Sequence, residues 1–352
     1  MVTRVAVIRH NGLFMGGTEK FLQIISACVN HNEFEIDYYT TNEDRFEDRE
    51  QYLLNNDVNI IKFDKSLNSK YIPNRMKWGN LWKKLDVNLY DVIQVTNFGW
   101  SEYPYNGFRN KDPLCEFCVF PPYVKFPGVK HTVLNSEWVR EEWIKTGGIK
   151  EHSTAIPVPV EYPTSSNNLR EELNIPDNAI VCGMHQRNDD RIYSGIPLKA
   201  FEQVVKKYSD VHFVMLNGSN QYRVQAGIDD IPNVHFVDYL DNISPFLNTL
   251  DIYTHGRYDG ETYGMALAEA MIHKLPCISH YSPIYNAMES TIADGGYVVS
   301  GIDQYVEILD NLITNDALRR QLSSNAYKTA KITYTYDIAI PKIEHVWKNL
   351  IY

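Results

Sequence analysis

Residues 251–280 read DIYTHGRYDGETYGMALAEAMIHKLPCISH. The stretch opens on a short apolar run, passes through a loop, starts a helix at Gly264, runs helically to Lys274 and resumes as a strand after Pro276. Strand, loop, helix and strand in that order form a βαβ unit, whose strands pair in parallel. The first amides of a helix have no acceptor within it, and the helix dipole adds positive potential there. The backbone of Thr262, Tyr263 and Gly264 therefore suits a diphosphate. Glu261 precedes this helix and Glu269 lies inside it. At ~1.5 Å of rise per residue the two carboxylates are at most roughly 12 Å apart along the axis, close enough to hold hydroxyl groups on either side of a diphosphate. Glu269 stands among Ala266, Leu267, Ala268, Ala270 and Met271, and a carboxylate in so apolar a helix is rarely buried without a partner.

The same alternation extends in both directions. Toward the N-terminus of this stretch, "NAIVCGM", "HFVMLNG" and "NVHFVDY" read as strands, with "GIPLKAFEQVVKKY" as a helix between the first two. An earlier series holds the strands "VAVI", "EIDYYT", "VNIIKF", "DVIQVT" and "HTVLNS", with helices after Gly17, over "MKWGNLWKKL" and over "EWVREEWIKTGG". Between the two series, "AIPVPVEYPTSSNN" interrupts all periodicity with prolines and small polar residues, as a linker does. The expected organisation is an N-terminal Rossmann-like domain over 1–165, a second over 166–335, and a C-terminal helix over 336–352 packing back on the first. Open α/β sheets bind ligands at the carboxyl ends of their strands, so the expected fold class is α/β, two doubly wound domains facing across a cleft.

"GETYGMALAEAM" followed by "LPCIS" resembles the E-x7-E signature of retaining glycosyltransferases of the GT-B fold, in particular glycosyltransferase family 4. The resemblance is strong over about 175–300 and moderate over 131–160. It implies a nucleotide-binding second domain and an acceptor-binding first domain. It also implies a hexosyl transfer from a nucleoside diphosphate sugar (UDP- or GDP-linked) to a hydroxyl of a glycan or lipid-linked glycan, with retention of configuration. Glu261 would contact the donor sugar's hydroxyls, Glu269 the ribose, and the amides of Thr262 to Gly264 the diphosphate. The family's Arg and Lys for the diphosphate fall in "CGMHQRNDDRIYSG", which offers Arg187 and Arg191 but no lysine before Gly195. Arg191 is the expected substitute, since arginine grips phosphate in a bidentate manner. Gly16 and Gly17 occupy the place of the family's glycine loop, where backbone can approach the donor. Asn217, Tyr239 and Leu240 fall where base and ribose would rest.

The family often carries a first-domain histidine after a strand of this type. Here that strand is "DVIQVTNFGW", with Gln94 and Asn97 instead. His10 and His255 are the histidines placed to line the cleft, each with a structural role as the alternative. Neither "NDD" nor "IDD" has the spacing of a metal-binding Asp-x-Asp, so no metal and no other cofactor is expected, the nucleotide sugar being a co-substrate.

Composition bounds the rest. Of 352 residues 34 are basic and 44 acidic, and this net charge of −10, of which 166–352 carry −8, speaks against nucleic acid as a partner. Five cysteines are too few and too unevenly spaced for a disulfide framework, and the Cys115/Cys118 pair between prolines reads as chance spacing. No run is long enough to span a membrane, and the N-terminal apolar run is too short for a signal peptide, so a cytoplasmic protein is expected. Residues 62–84 hold seven basic residues with Trp78 and Trp82. They suit either peripheral docking to an anionic membrane or an ordinary helix burying Trp78, Leu81, Trp82 and Leu85. Two other function classes stand beside the transferase: a sugar-nucleotide epimerase or phosphorylase on the same fold, and a non-catalytic nucleotide-sugar binding protein.

Overall fold

A computed structural model describes residues 2–9, 12–14, 16–41, 47–64, 80–97, 108–126, 128–187, 192–218 and 231–351. The chain divides into two compact units, Met1–Pro159 together with Tyr336–Tyr352, and Val160–Thr335.

The first unit is built on a seven-stranded sheet. Its strands are β1 (Thr3–Ile8), β2 (Phe34–Thr41), β3 (Asn59–Phe63), β4 (Val92–Asn97), β5 (Leu114–Cys118), β6 (Val129–Leu134) and β7 (Ser153–Ala155), in spatial order β3-β2-β1-β4-β5-β6-β7 and parallel throughout. Such strands are covered on both faces, which is why β1 and β5 read as apolar runs rather than as alternations. Helix α1 (Gly17–Cys28) lays Phe21, Leu22, Ile24 and Ile25 on the sheet, Phe21 stacking on Phe117 at 3.9 Å. Strand order reverses between β1 and β4. There Arg9, only 1% exposed, donates from Nε to Glu19 Oε1 (3.1 Å) and from Nη1 to Thr96 Oγ1 (3.0 Å).

The first sheet holds two strands, β5 and β7, beyond the five that the sequence patterns predict. Strand β5 lies mid-sheet, although its sequence "LCEFC" sits between prolines. Both prolines, Pro113 and Pro121, fall outside the paired residues, where a missing N–H costs nothing. The five cysteines are all reduced, and Cys115 and Cys118 are buried within β5, where burial pushes the Cys115 thiol pKa up. Gln94, considered as the counterpart of a first-domain histidine, is fully buried, and its Oε1 accepts from Trp347 Nε1 at 3.0 Å. Of the 62–84 segment, residues 65–79 lie outside the described residues. Its end forms a short helix, Leu81–Lys84, with Leu81 and Leu85 buried and Trp82 set edge-on to Phe108 at 5.1 Å. Among the described residues no helix is long and apolar enough to cross a membrane.

The helix Tyr336–Ile351 completes this unit, burying Ala339, Ile340, Ile343, Val346 and Trp347. Trp347 is fully enclosed, edge-on to Phe34 at 5.6 Å.

The second unit carries a six-stranded parallel sheet of β8 (Ile180–His185), β9 (Val211–Leu216), β10 (Val234–Val237), β11 (Ile252–Thr254), β13 (Cys277–His280) and β15 (Gly296–Val299), ordered β10-β9-β8-β11-β13-β15. The reversal of order falls between β8 and β11. The sixth strand, β15, exceeds the strands expected from sequence, because "GYVV" is short and begins on a glycine. A separate two-residue pairing joins β12 (Gly260–Glu261) to β14 (Tyr285–Asn286). The helices Ile196–Val205, Ile302–Thr314 and Asp316–Thr333 pack Leu198, Phe201, Tyr305, Leu309 and Leu322 against the sheet.

Replacing Trp347 with Ala should destabilise the first unit by about 3–5 kcal/mol, since it empties a buried volume and strands the Gln94 carbonyl. Urea unfolding of Trp347→Ala beside Trp347→Phe, which keeps most of the ring volume, measures the two contributions.

Candidate functional site

The carboxyl ends of β8 and β11 diverge at the reversal point of the second sheet, the position where open α/β sheets take ligands. β8 ends on His185 and continues as Gln186 and Arg187, while β11 continues as His255, Gly256 and Arg257. The chain then folds over through β12 and enters the signature helix, Met265–Ile272.

Two glycines make this path possible. Gly260 has φ +73°, and a Cβ there would stand 1.8 Å from the Tyr285 carbonyl oxygen, so a side chain is incompatible with the β12–β14 pairing. Gly264 caps the helix at φ +88°, in the left-handed region. Its carbonyl accepts from Leu267 (3.0 Å) and Ala268 (3.1 Å), so the amides of Met265 and Ala266 start the helix with no intrahelical partner. Tyr263 turns inward onto Tyr334 (centroids 5.5 Å apart) and is 4% exposed. What residues 262–264 offer to a ligand is therefore main chain rather than an aromatic face.

The two signature carboxylates occupy different environments. Glu261 Oε1 lies 3.5 Å from His255 Nε2 and 3.5 Å from Arg257 Nη1. Arg257 is itself held by Asp259 through Nε (2.6 Å) and Nη2 (3.1 Å), and His255 by Ser279 Oγ at Nδ1 (2.8 Å). Glu261 is thus flanked by a fixed cation and a buried imidazole. Glu269 is buried, and its Oε2 lies 3.0 Å from His185 Nε2. His255, one of the two histidines singled out from sequence, is 1% exposed and stands behind Glu261.

The remaining expected residues fall as follows. Arg187 is exposed directly after β8. Its carbonyl and that of Asn217 each lie 3.1 Å from the Tyr193 hydroxyl, which ties together the segments leaving β8 and β9. Asn217 adopts φ +62° and donates its N–H to Val237 O at 3.0 Å. Beyond β10, Tyr239 is 67% exposed and Leu240 half-buried. Gly16 and Gly17 belong to the first unit, Gly16 as the N-cap of α1 beneath the Glu19 carboxylate. Arg191 and His10 lie outside the described residues. Sequence reading missed His185 and Arg257. The only signal for either was position, His185 closing a strand and Arg257 standing four residues before Glu261.

Residues 165–329 match the model of the family described as glycosyl transferases group 1. The O-antigen biosynthesis glycosyltransferase WclY of Escherichia coli is 25% identical over 187 residues, 52% of this chain and 50% of WclY, so the chain spans about half the length of that relative. A glycosyltransferase from Rickettsia africae superposes with a TM-score of 0.73 at 14% identity, covering 99% of both chains. Anabaena HepE, solved in complex with UDP and glucose, gives 0.73 at 14% over 99% of this chain and 100% of its own. WaaG, a glycosyltransferase involved in lipopolysaccharide biosynthesis, gives 0.68 at 13% over 97% and 99%.

Gly260→Ala should lower the melting temperature of the second unit and displace Glu261, because the added methyl meets the Tyr285 carbonyl. A Gly260→Ala protein with wild-type thermal unfolding would contradict the stated register of β12 on β14. The parallel sheets, the reversal of strand order in each and these likenesses give the chain the GT-B fold, with residues 165–329 matching the group 1 glycosyl transferase model.

Proposed function

We propose that this chain transfers a hexose from a nucleoside diphosphate sugar to a hydroxyl of a glycan or lipid-linked glycan, retaining anomeric configuration and without a metal ion. The observation that carries the reading is Glu261, flanked by Arg257 and His255 and followed at once by the start of the signature helix. A carboxylate for sugar hydroxyls and amides for a diphosphate thereby adjoin each other, as a bound nucleotide sugar requires.

In the proposed reaction, the acceptor oxygen bonds to the anomeric carbon as the bond from that carbon to the β-phosphate oxygen breaks on the same face. The acceptor's proton passes to the departing phosphate oxygen. Negative charge growing on the diphosphate is met by Arg187, Arg191 and the amides at the helix start, which takes the place of a metal ion. Glu261 orients the sugar, and Arg257 holds the Glu261 carboxylate in place. Glu269 receives the ribose hydroxyls. HepE is solved with UDP and glucose, which supports UDP-glucose as the first donor to try, and the O-antigen and lipopolysaccharide roles of WclY and WaaG support a glycan acceptor.

Release of nucleoside diphosphate from UDP- and GDP-sugars, with and without glycan acceptors, tests the reading. Glu261→Ala should cut transfer by about a hundredfold or more while nucleotide affinity stays nearly unchanged. Near-normal turnover in that variant would refute the role of Glu261, and an epimerised sugar formed from donor alone would point to an epimerase.

A further inference from the structure

The buried partner of Glu269 is a residue that no signature assigns. His185 is the last residue of β8, its side chain 9% exposed, and its ring is held on three sides. Nε2 lies 3.0 Å from Glu269 Oε2, Nδ1 lies 3.1 Å from the Tyr253 hydroxyl, and Phe246 packs against the ring with centroids 5.6 Å apart at 70°. Tyr253 is fully buried on the neighbouring strand β11, and burial holds its phenol in the protonated form. Its hydroxyl also lies 3.1 Å from the His185 carbonyl oxygen. The Tyr253 hydroxyl thus bonds both the main chain and the ring of His185, and Nε2 is the ring nitrogen that faces the carboxylate.

From this geometry we infer that His185 is a positioning residue that fixes the Glu269 carboxylate for recognition of the nucleotide's ribose hydroxyls. The inference rests on the nucleotide-sugar reading above. A Glu side chain has three rotatable bonds, and in a helix with Leu267, Ala268, Ala270 and Met271 fully buried nothing apolar can orient its charged end. His185 supplies one directed hydrogen bond to one carboxylate oxygen, which sets the plane of the group. Tyr253 and Phe246 in turn stop the imidazole from rotating. The chain Tyr253–His185–Glu269 runs from β11 through β8 to the signature helix and so transmits the register of two adjacent strands to one carboxylate.

A merely structural pair would change stability but not the choice between ribose and deoxyribose, and that choice is the readout. Calorimetric binding of UDP and GDP is compared with that of their 2′,3′-dideoxy forms, on the full chain. The wild type should prefer the ribose form of its nucleotide by roughly tenfold or more, the effect of a hydrogen bond to a charged acceptor. His185→Leu should bind both forms alike. His185→Gln, whose amide nitrogen can take the place of Nε2, should restore the preference, and His185→Asn, which is too short, should not. Glu269→Gln should weaken it, and adding His185→Leu to that variant should weaken it no further, since both act through one contact. If His185→Leu does not fold, the Gln and Asn variants decide alone. A ribose preference that survives in His185→Leu or His185→Asn, or its absence in the wild type, overturns the inference while leaving nucleotide binding intact. Failure of the wild type to bind either ribonucleotide overturns the nucleotide-sugar reading itself.

Discussion

Two residue pairings, Ile252 opposite Cys182 and Tyr253 opposite Gly183, hold β11 to β8, and the candidate site depends on them. They are parallel, so both strands release their chains at the same edge of the sheet. They also flank the reversal of strand order, so the two chains leave in different directions. His185 closes β8 and His255 follows β11 directly. Each stands behind one signature glutamate, although the two histidines are 70 residues apart in sequence and the glutamates only eight. A one-residue slip of β11 on β8 would turn the Tyr253 side chain to the opposite face of the sheet and take its hydroxyl from His185.

Part of the buried charge among the described residues lies where the sheets reverse, while Asp37, Asp112 and Glu116 are buried elsewhere in the first unit. In the second unit Glu269 Oε2 lies 3.0 Å from His185 Nε2, and the partly buried Glu261 lies 3.5 Å from both Arg257 Nη1 and His255 Nε2. In the first unit the same topological position is taken by Arg9, bonded to Glu19 and Thr96. Removing one member of such a group leaves an uncompensated charge in a medium that solvates it poorly, a cost of about 3–5 kcal/mol. Apolar residues of similar volume would fill these places at less expense to stability. Their retention is intelligible where a ligand has to be gripped, as it is proposed to be in the second unit.

Much of this was legible in the sequence, and the boundary of legibility has a physical basis. The two doubly wound parallel sheets followed from short β-branched runs alternating with helical periods, and the GT-B expectation from the resemblance carried by Glu261, Gly264 and Glu269 within one local motif. What stayed hidden was contact between residues distant along the chain. Gln94 looked like a vacancy where a catalytic histidine is common, until the indole of Trp347 was found on it, 253 residues away. His185 read as a strand residue because nothing near it in sequence shows that Glu269 faces it. Strand β5 was passed over because its flanking prolines signal a loop, which holds for an interior proline and fails for one just beyond the ladder.

The chain crosses from the first unit to the second at Pro159–Val160 and back at Thr335–Tyr336. At these crossings Val160 bridges to Thr335 and donates its N–H to Tyr334 O at 2.8 Å. The second unit is therefore an insertion within the first, and the order of synthesis differs from the order of completion. All seven strands of the first sheet leave the ribosome early, with Phe34 and Gln94 still lacking the indole that covers them. The second unit, contiguous over Val160–Thr335, has every residue it needs before the helix Tyr336–Ile351 emerges. The unit made first is thus the unit finished last. For the duration of translation of the inserted unit it exposes the apolar groove that this helix fills, the interval in which a nascent chain is most open to misassembly and to chaperones.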